Sequence, residues 1–480
     1  MRRDGQSLGV SGRGARNGGR RAEARGFILV PGVLLALCVV GPAAAAADEA
    51  PLVIRGAEHG PPVTPFVVDV DVRDLPGPEP WRPGDPIRSI PMRFSPPPGT
   101  LPVPTTRPGP DPLLEVQLLQ APPAAALDTL DISAPTRNFE GQGFTSVNPP
   151  DTVGDIGPSH YIQMINSGGG ALVKIWDKAE PAPNELAAFV LDGLGAGACA
   201  SGYGDPIVIY DRLADRWLLA EFASSGAHLC VYISRAGDPV TGGWYAYDFE
   251  TPSFPDYPKY AAWATDSDGG PGSYVVTAND GGPGVYALDR AAMLAGEPST
   301  FQRLTMPRLP GFGIQGPAPA DPDGPNGPPA LAPAIVMRHR DTELHDGPAA
   351  PADLLEMWLF QVDWDQPANT TLTQAPSIDV AEFDSAVCGT VFGGCFPQPG
   401  STVTLMPLRE VIMNRLQYYN YGDHESIAAN FVVDVDGADH GGIRWFELRR
   451  VAGGPWALHT EGTFAPDDEH RWMGSAALDS

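Results

Sequence analysis

From residue 139 onward the chain is written in short apolar runs rich in Val, Ile, Tyr, Trp and Phe, broken by Gly, Asp and Pro. Residues 207–210, 217–222, 229–234 and 244–249 are clear cases, each four to six residues long. β-Branched and aromatic residues suit a pleated surface, and turn residues such as those at 211–215 and 236–243 mark strand ends. Helical periodicity is scarce; 289–295 is the best stretch, and it allows one or two turns. The pattern predicts an all-β protein.

The runs recur in sets. Asn148-Pro149-Pro150-Asp151 opens one, Gly204-Asp205-Pro206 the next and Asp256-Tyr257-Pro258-Lys259 a third, with the aspartates 54 and then 51 residues apart. Another begins near Ile335-Val336-Met337-Arg338-His339, after a Pro/Gly insertion at 313–333. Further sets begin at Gly422-Asp423-His424-Glu425-Ser426 and Asp468-Glu469-His470-Arg471-Trp472. Four short strands per 40–50-residue period is the signature of β-propeller blades. Residues 139–480 are therefore expected to form a β-propeller of six or seven four-stranded blades. A β-sandwich is the alternative, but it would show no repeat near 50 residues. The last set is cut short, so either an N-terminal strand completes the closing blade or the chain is a fragment.

The first 138 residues read differently. Residues 1–25 hold seven Arg and two acids, followed by an apolar stretch at 27–40 and an alanine run at 43–47. Basic, apolar and small-residue regions in that order predict a signal peptide over 1–47, and hence a secreted or extracytoplasmic bacterial protein. Residues 51–150 hold 23 of the 54 prolines. Proline lacks the backbone donor a helix or central strand needs, so 48–138 reads as an extended proline-rich linker. Its apolar pieces at 66–72 and 113–119 are placed to dock on the globular part.

Composition narrows the function. A net charge of −27 leaves no basic surplus to displace phosphate counterions, which excludes a nucleic-acid binder. No apolar run reaches the length of a spanning helix. Removing 1–47 leaves 24 basic against 56 acidic residues, a surface that repels anionic polymers and attracts cations, Ca²⁺ among them. Cys199, Cys230, Cys388 and Cys395 then remain, allowing three pairings. Proximity favours Cys388–Cys395 and, by elimination, Cys199–Cys230; no C-x-x-C spacing suggests zinc or redox chemistry.

Taken together, Asn148 to Tyr161, Gly204-Asp205-Pro206 with Tyr210 to Trp217, Asp256 to Lys259, Val362-Asp363-Trp364, Gly422 to Ser426 and His470 to Gly474 are similar to motifs of a family of large exported bacterial β-propeller proteins. The resemblance covers about 139–480. It implies a propeller of sialidase-like overall architecture and brings no established activity, so no catalytic residue is carried over. Family members often have Asn where Val153 stands here.

In a propeller the first strand of each blade lines the central channel, and ligands sit at its mouth. The recurring openings would gather Asp205, Asp256, Lys259, Arg338, His339, Asp423, His424, Glu425, His470 and Arg471 there as ligand-binding residues. Glu425, with Asp423 and His424, is the candidate acid/base group, since glycosidic hydrolysis needs two flanking carboxyls. The same aspartates also suit turns that hold backbone donors. Alternating Asp followed by Gly makes Asp151 with Asp155, Asp266 with Asp268, and the 434–439 loop candidate Ca²⁺ loops, though none completes an EF-hand. Sialidase chemistry would need arginines such as Arg338 and Arg471 around a Tyr257-like nucleophile. The leading expectation is an exported binding module for carbohydrate or another cell-surface polymer. A glycan-degrading hydrolase or lyase and a structural envelope protein are the alternatives.

Overall fold

The computed structural model describes residues 51–90, 109–114, 116, 137–264, 271–310, 316–347, 352–389, 394–409 and 411–479. The expected signal peptide lies outside them, as do Asp266 and Asp268. Five short strands come first: β1 (Val53–Ile54), β2 (Glu58–His59), β3 (Phe66–Val68), β4 (Arg88–Ser89) and β5 (Val147–Asn148). An antiparallel meander follows, β6 (Val153–Ile156), β7 (His160–Ser167), β8 (Gly170–Asp177) and β9 (Glu185–Val190). A second comprises β10 (Gly202–Asp211), β11 (Arg216–Ala223), β12 (His228–Ser234) and β13 (Trp244–Glu250). The third is β14 (Asp256–Ala264), β15 (Gly272–Asn279), β16 (Pro283–Asp289) and β17 (Phe301–Thr305).

The remaining strands form one ten-stranded sheet built of two meanders. The first is β18 (Ala318–Asp323), β19 (Ala334–Arg340), β20 (Leu354–Gln361) and β21 (Thr371–Gln374), with β22 (Ile378–Asp379) also on β20. The second is β23 (Leu416–Asn420), β24 (Glu425–Asp434), β25 (Gly441–Arg450) and β26 (Ala457–Phe464). Parallel pairing of β18 with β23 joins them. The protein is all-β, as the pattern predicts, and its described helices are short. One, α1 (Arg290–Ala295), falls on the expected stretch; Asp289 caps it by accepting from the Ala292 N–H, and Gly296 ends it at φ 70°.

Two of the expected sets begin one strand late. The opening strand of the fourth meander is β18, Ala-Pro-Ala-Asp-Pro-Asp, inside the stretch that reads as an insertion. Two prolines hide it, yet they fit because β18 pairs with β19 only through Ala318 and Pro319 and with β23 from Ala320 onward. The fifth meander likewise opens on β23, so Asp423 and His424 form the turn into β24. No strand follows Asp468 among the described residues.

Described strands of the proline-rich N-terminal segment pair with the edges of the sheets. β3 pairs antiparallel with β13, β2 with β17 and β1 with β21, adding a strand to the outer edge of three successive meanders. Exposed edges invite foreign strands, and this arm covers three of them. Both disulfides form as expected, Cys199–Cys230 and Cys388–Cys395, which fits an oxidising, extracytoplasmic compartment. No described helix is long and apolar enough to cross a membrane.

Neighbouring sheets pack face to face. One core cluster joins the first and second meanders through residues such as Val173, Phe189, Leu219 and Trp244. Another joins the second and third through Ile209, Val231, Tyr274 and Tyr286. A third spans the third to fifth through Trp263, Trp358, Tyr418 and Phe431. Burial on both faces explains why β24 is a continuous buried strand rather than an alternating one. Charged pins cross these seams. The buried Asp211 at the end of β10 accepts from Arg290 Nε at 2.7 Å, Arg290 Nη2 at 3.0 Å and the Tyr274 hydroxyl at 3.0 Å.

Candidate functional site

The opening strand β10 lies beside both β6 and β14, and residues at the starts of all three line one cavity. β10 and β14 do not begin regularly: bulges interrupt their pairing between Gly204 and Ile207 and between Asp256 and Lys259. Asp205-Pro206 and Tyr257-Pro258 occupy those bulges, where a missing proline N–H breaks no ladder bond. Asp151, Asp205 and Tyr257 take positive φ values of 42°, 50° and 54°. Non-glycine residues in that region are uncommon and gather at functional sites. A bulge turns a side chain off the strand's regular alternation. Here the result is that Asp151, Asp205, Asp256 and Lys259 face one cavity of about 620 Å³.

The walls of that cavity are mostly apolar. Tyr203, Phe222, Phe254 and Tyr257 line one side, with the Phe222 and Phe254 rings edge to face at 4.5 Å. Met406, Leu408 and Met413 come from the segment before β23, and Met473 from the segment after β26. The volume lies within the range of small-ligand sites, and a few polar groups on an apolar wall is their usual make-up.

Asn166 sets the floor. This fully buried β7 residue donates from Nδ2 to Asp151 Oδ2 at 2.8 Å and to the Pro149 carbonyl at 2.9 Å, and its Oδ1 accepts from the Asp205 N–H at 2.9 Å. It ties the openings of two meanders together. A Cβ on Gly204 would stand 2.2 Å from Asn166 Oδ1, so only glycine permits this approach.

The charges on the floor perturb one another. Burial raises the Asp205 carboxyl well above the usual range, and the nearby Asp151 and Asp256 carboxylates raise it further. Asp151 is open to the cavity, but its concave surroundings withhold bulk water and raise its carboxyl too, against the hydrogen bond from Asn166. The Asp151 and Asp205 carboxyls are close enough to perturb each other's ionisation. Desolvation lowers the Lys259 ammonium to about 8, while Asp205 and Asp151 hold it up in part. Its Nζ lies 3.8 Å from the centre of the Tyr257 ring. The 480 residues contain three lysines, and the other two, Lys174 and Lys178, bond to Glu185 and to the Gly157 carbonyl.

Beneath the floor is a second polar layer. Arg415 reaches Asp321 at 2.6 Å, contacts Asp323 and lies 3.6 Å from Asp155. Asp155 accepts from the Tyr210 N–H and Asp321 from the Ala262 N–H, each carboxylate pinning the neighbouring meander's opening strand. The sequence signal for Asp321 and Asp323 was their spacing of two on one strand face. The prolines of β18 obscured it.

The other expected site residues go elsewhere. Glu425 is buried and paired with Arg450 Nη2 at 2.7 Å, with Tyr418 donating to it as well. Its carboxylate is thus committed to an ion pair and is not placed for acid/base work. Asp423 bonds His424 Nδ1 at 2.6 Å, and the imidazole stacks on Tyr421 in the turn before β24. His470 stacks on Phe396 at 4.1 Å, and Arg471 pairs with Asp467 at 2.7 Å. Arg338 is buried against Glu356 at 2.8 Å. Neither Arg338 nor Arg471 reaches Tyr257's cavity, so no sialidase-like arginine cluster forms among the described residues.

In the described acidic loops the carboxylates are engaged by protein donors. Asp155 turns from Asp151 toward Tyr210 and Arg415, and Asp434 accepts from the backbone N–H groups of Asp436, Gly437 and Asp439. A compact acidic group does occur at Asp341, Glu343 and Asp353, with oxygens within 4.8 Å of one another. There Asp341 accepts from Leu344 and Ser385, and Asp353 from Thr342 and Phe383, so these carboxylates organise a loop.

His339 is buried, bonds the Arg409 carbonyl and stacks on Phe431 at 4.5 Å. Burial, and then the nearby His345, pushes its imidazole down to about 3. A depressed folded value means stability that is full above the unfolded value near 6.5 and is lost as pH falls toward 3. From pH 6.5 to 4.5 this amounts to roughly 2 kcal/mol. The stability gap between wild type and His339→Gln in urea unfolding is therefore expected to narrow by about that amount over the same interval. A gap independent of pH would contradict the structural role assigned to His339.

No protein-family model, curated protein or solved structure matches this chain.

Proposed function

We propose that this is an exported β-propeller whose end cavity binds a carbohydrate unit of a glycan or another cell-surface polymer. Five four-stranded meanders among the described residues support the propeller, and five blades is the reading they favour over six or seven. Their opening strands run as neighbours from β6 through β10, β14 and β18 to β23, and the 3.6 Å approach of Arg415 to Asp155 links the last meander back to the first. On this reading, the spacing counts six or seven because the described segments after Ile378–Asp379 and after Ala457–Phe464 add sequence without a further described meander.

The observation that carries the binding reading is the convergence of Asp151, Asp205, Asp256 and Lys259 beneath aromatic walls. Aromatic faces stack on the apolar faces of sugar rings, and carboxylates accept from their hydroxyls. A hydrolase would need two of the cavity carboxyls to flank the scissile bond, about 5–10 Å apart. Lys259, lowered to about 8, keeps a lyase as the second reading, because a lysine near neutrality can take a proton.

Glycan-array capture by wild type and Asp205→Asn tests the binding reading. Capture of a defined glycan set by wild type, weakened at least tenfold in the variant, is expected for a floor hydrogen bond. Folded wild-type protein that captures none would overturn it. Release of unsaturated ends from a polysaccharide panel, lost in Lys259→Met, would favour the lyase.

A further inference from the structure

We propose that Lys259 bonds covalently to a carbonyl-bearing ligand in this cavity, its amine condensing with an aldehyde or ketone to form an imine. This goes beyond the binding reading: it names the reactive group of the ligand, and it holds for a carbonyl on a sugar or on an apolar ring.

Lys259 lines the cavity, and its Nζ lies 3.8 Å from the centre of the Tyr257 ring. Among the described residues it donates no hydrogen bond and forms no ion pair. The other two lysines are committed, Lys174 to Glu185 at 2.8 Å and Lys178 to the Gly157 carbonyl at 3.0 Å. A lysine that serves structure is held by an acceptor. This one rests on an aromatic face at the floor of a ligand-sized space, so no protein hydrogen bond has to break before Nζ presents its lone pair. Its environment acts in the same direction. Desolvation brings the ammonium down to about 8, with Asp205 and Asp151 holding it up in part. At pH 7 about one tenth of such a lysine is free base, against roughly one part in 2,500 for an ordinary one. Desolvated lysines are the ones that form Schiff bases with carbonyl compounds.

The step balances with the groups at hand. The nitrogen lone pair adds to the carbonyl carbon, the C=O π pair moves to oxygen, and one amine proton passes to that oxygen. The carbinolamine hydroxyl then takes a further proton and leaves as water, while the nitrogen lone pair closes the C=N bond. Amine, carbonyl and one proton thus give an iminium and water, and a positive charge stands where the ammonium stood. The Tyr257 face that suits the one suits the other. Asp151 and Asp205 open on the same floor and are placed to supply the proton. Burial raises both carboxyls, so each holds a proton closer to neutrality than an ordinary aspartate does. Asp256 is the remaining charged side chain lining the cavity among the described residues, and the step does not call on it. The apolar walls, Phe222, Phe254, Met406 and Leu408 among them, limit the water that would return the imine to amine and carbonyl.

The test is reductive trapping on the full chain at pH 7, with glyceraldehyde or benzaldehyde and sodium cyanoborohydride, followed by peptide mass spectrometry. Hydride converts the imine to a stable secondary amine, so the adduct marks the lysine that formed it. Lys259 is expected to be labelled at least tenfold faster than Lys174 and Lys178, and the difference is expected to vanish in urea-unfolded protein. Its rate should also saturate as the aldehyde concentration rises. Saturation is what a merely reactive amine would not give, because it reports a complex formed before the bond. The aldehyde that saturates at the lower concentration shows whether the carbonyl is a sugar's or an apolar ring's. Labelling of Lys259 no faster than that of the other two lysines overturns the proposal. A rate that stays linear in both aldehydes overturns it as well. Neither result bears on the glycan array, which decides the binding reading by itself.

Discussion

Thr152→Trp is expected to weaken glycan capture by tenfold or more while leaving unfolding within about 0.5 kcal/mol of wild type. Thr152 is exposed on the cavity rim, just before β6, and belongs to none of the floor hydrogen bonds. An indole there occupies space a ligand would need and leaves Asp151, Asp205, Asp256 and Lys259 chemically intact. The comparison therefore separates shape from charge. Capture on an array and urea unfolding of the same preparation are the two readings. Undiminished capture by Thr152→Trp would mean that the ligand binds elsewhere, because Thr152 lines this cavity of about 620 Å³.

The second large effect concerns the seams between sheets. Asp211→Ala is expected to destabilise the protein by about 3–5 kcal/mol, the range for stranding a buried charge. Arg290 is 1% exposed and Tyr274 fully buried, and both lose the Asp211 carboxylate as an acceptor. Removing both charges is gentler. Asp211→Leu combined with Arg290→Met is expected to recover most of the loss, since apolar replacements of buried pairs are often neutral. Equilibrium urea unfolding of the single and double variants measures this. A double variant as unstable as Asp211→Ala would show that the ion pair itself, rather than the uncompensated charge of its breaking, holds the second and third meanders together.

How far the sequence reaches is clearest at the set openings. Asp151, Asp205 and Asp256 stand at the start of opening strands, and proline beside each marks a break in regular pairing; the structure brings all three to one floor. The openings near His339 and Glu425 fail for a common reason. Each belongs to the second strand of its meander, because the true first strands are a proline-rich β18 and a β23 preceded by a long loop. A slip of one strand moves a side chain away from the opening strands, and there Arg338 and Glu425 find ion-pair partners. Asn166 gave only the faint signal of an amide in an apolar strand. Met406, Met413 and Met473 gave none, since they reach the cavity from irregular segments far away in sequence. Spacing was enough for the disulfides because loop closure is local for Cys388–Cys395, and only one pair then remains.

With three lysines in the chain, the cavity can be read at one atom. The most direct measurement is the acylation rate of Lys259 against Lys174 and Lys178, followed by peptide mass spectrometry across pH 6–10, with and without a captured glycan. Lys259 is expected to react with a midpoint near its value of about 8 and to be protected by the glycan, while the other two are indifferent to it. Labelling of Lys259 that is unchanged by saturating glycan would contradict the claim that this cavity is the binding site.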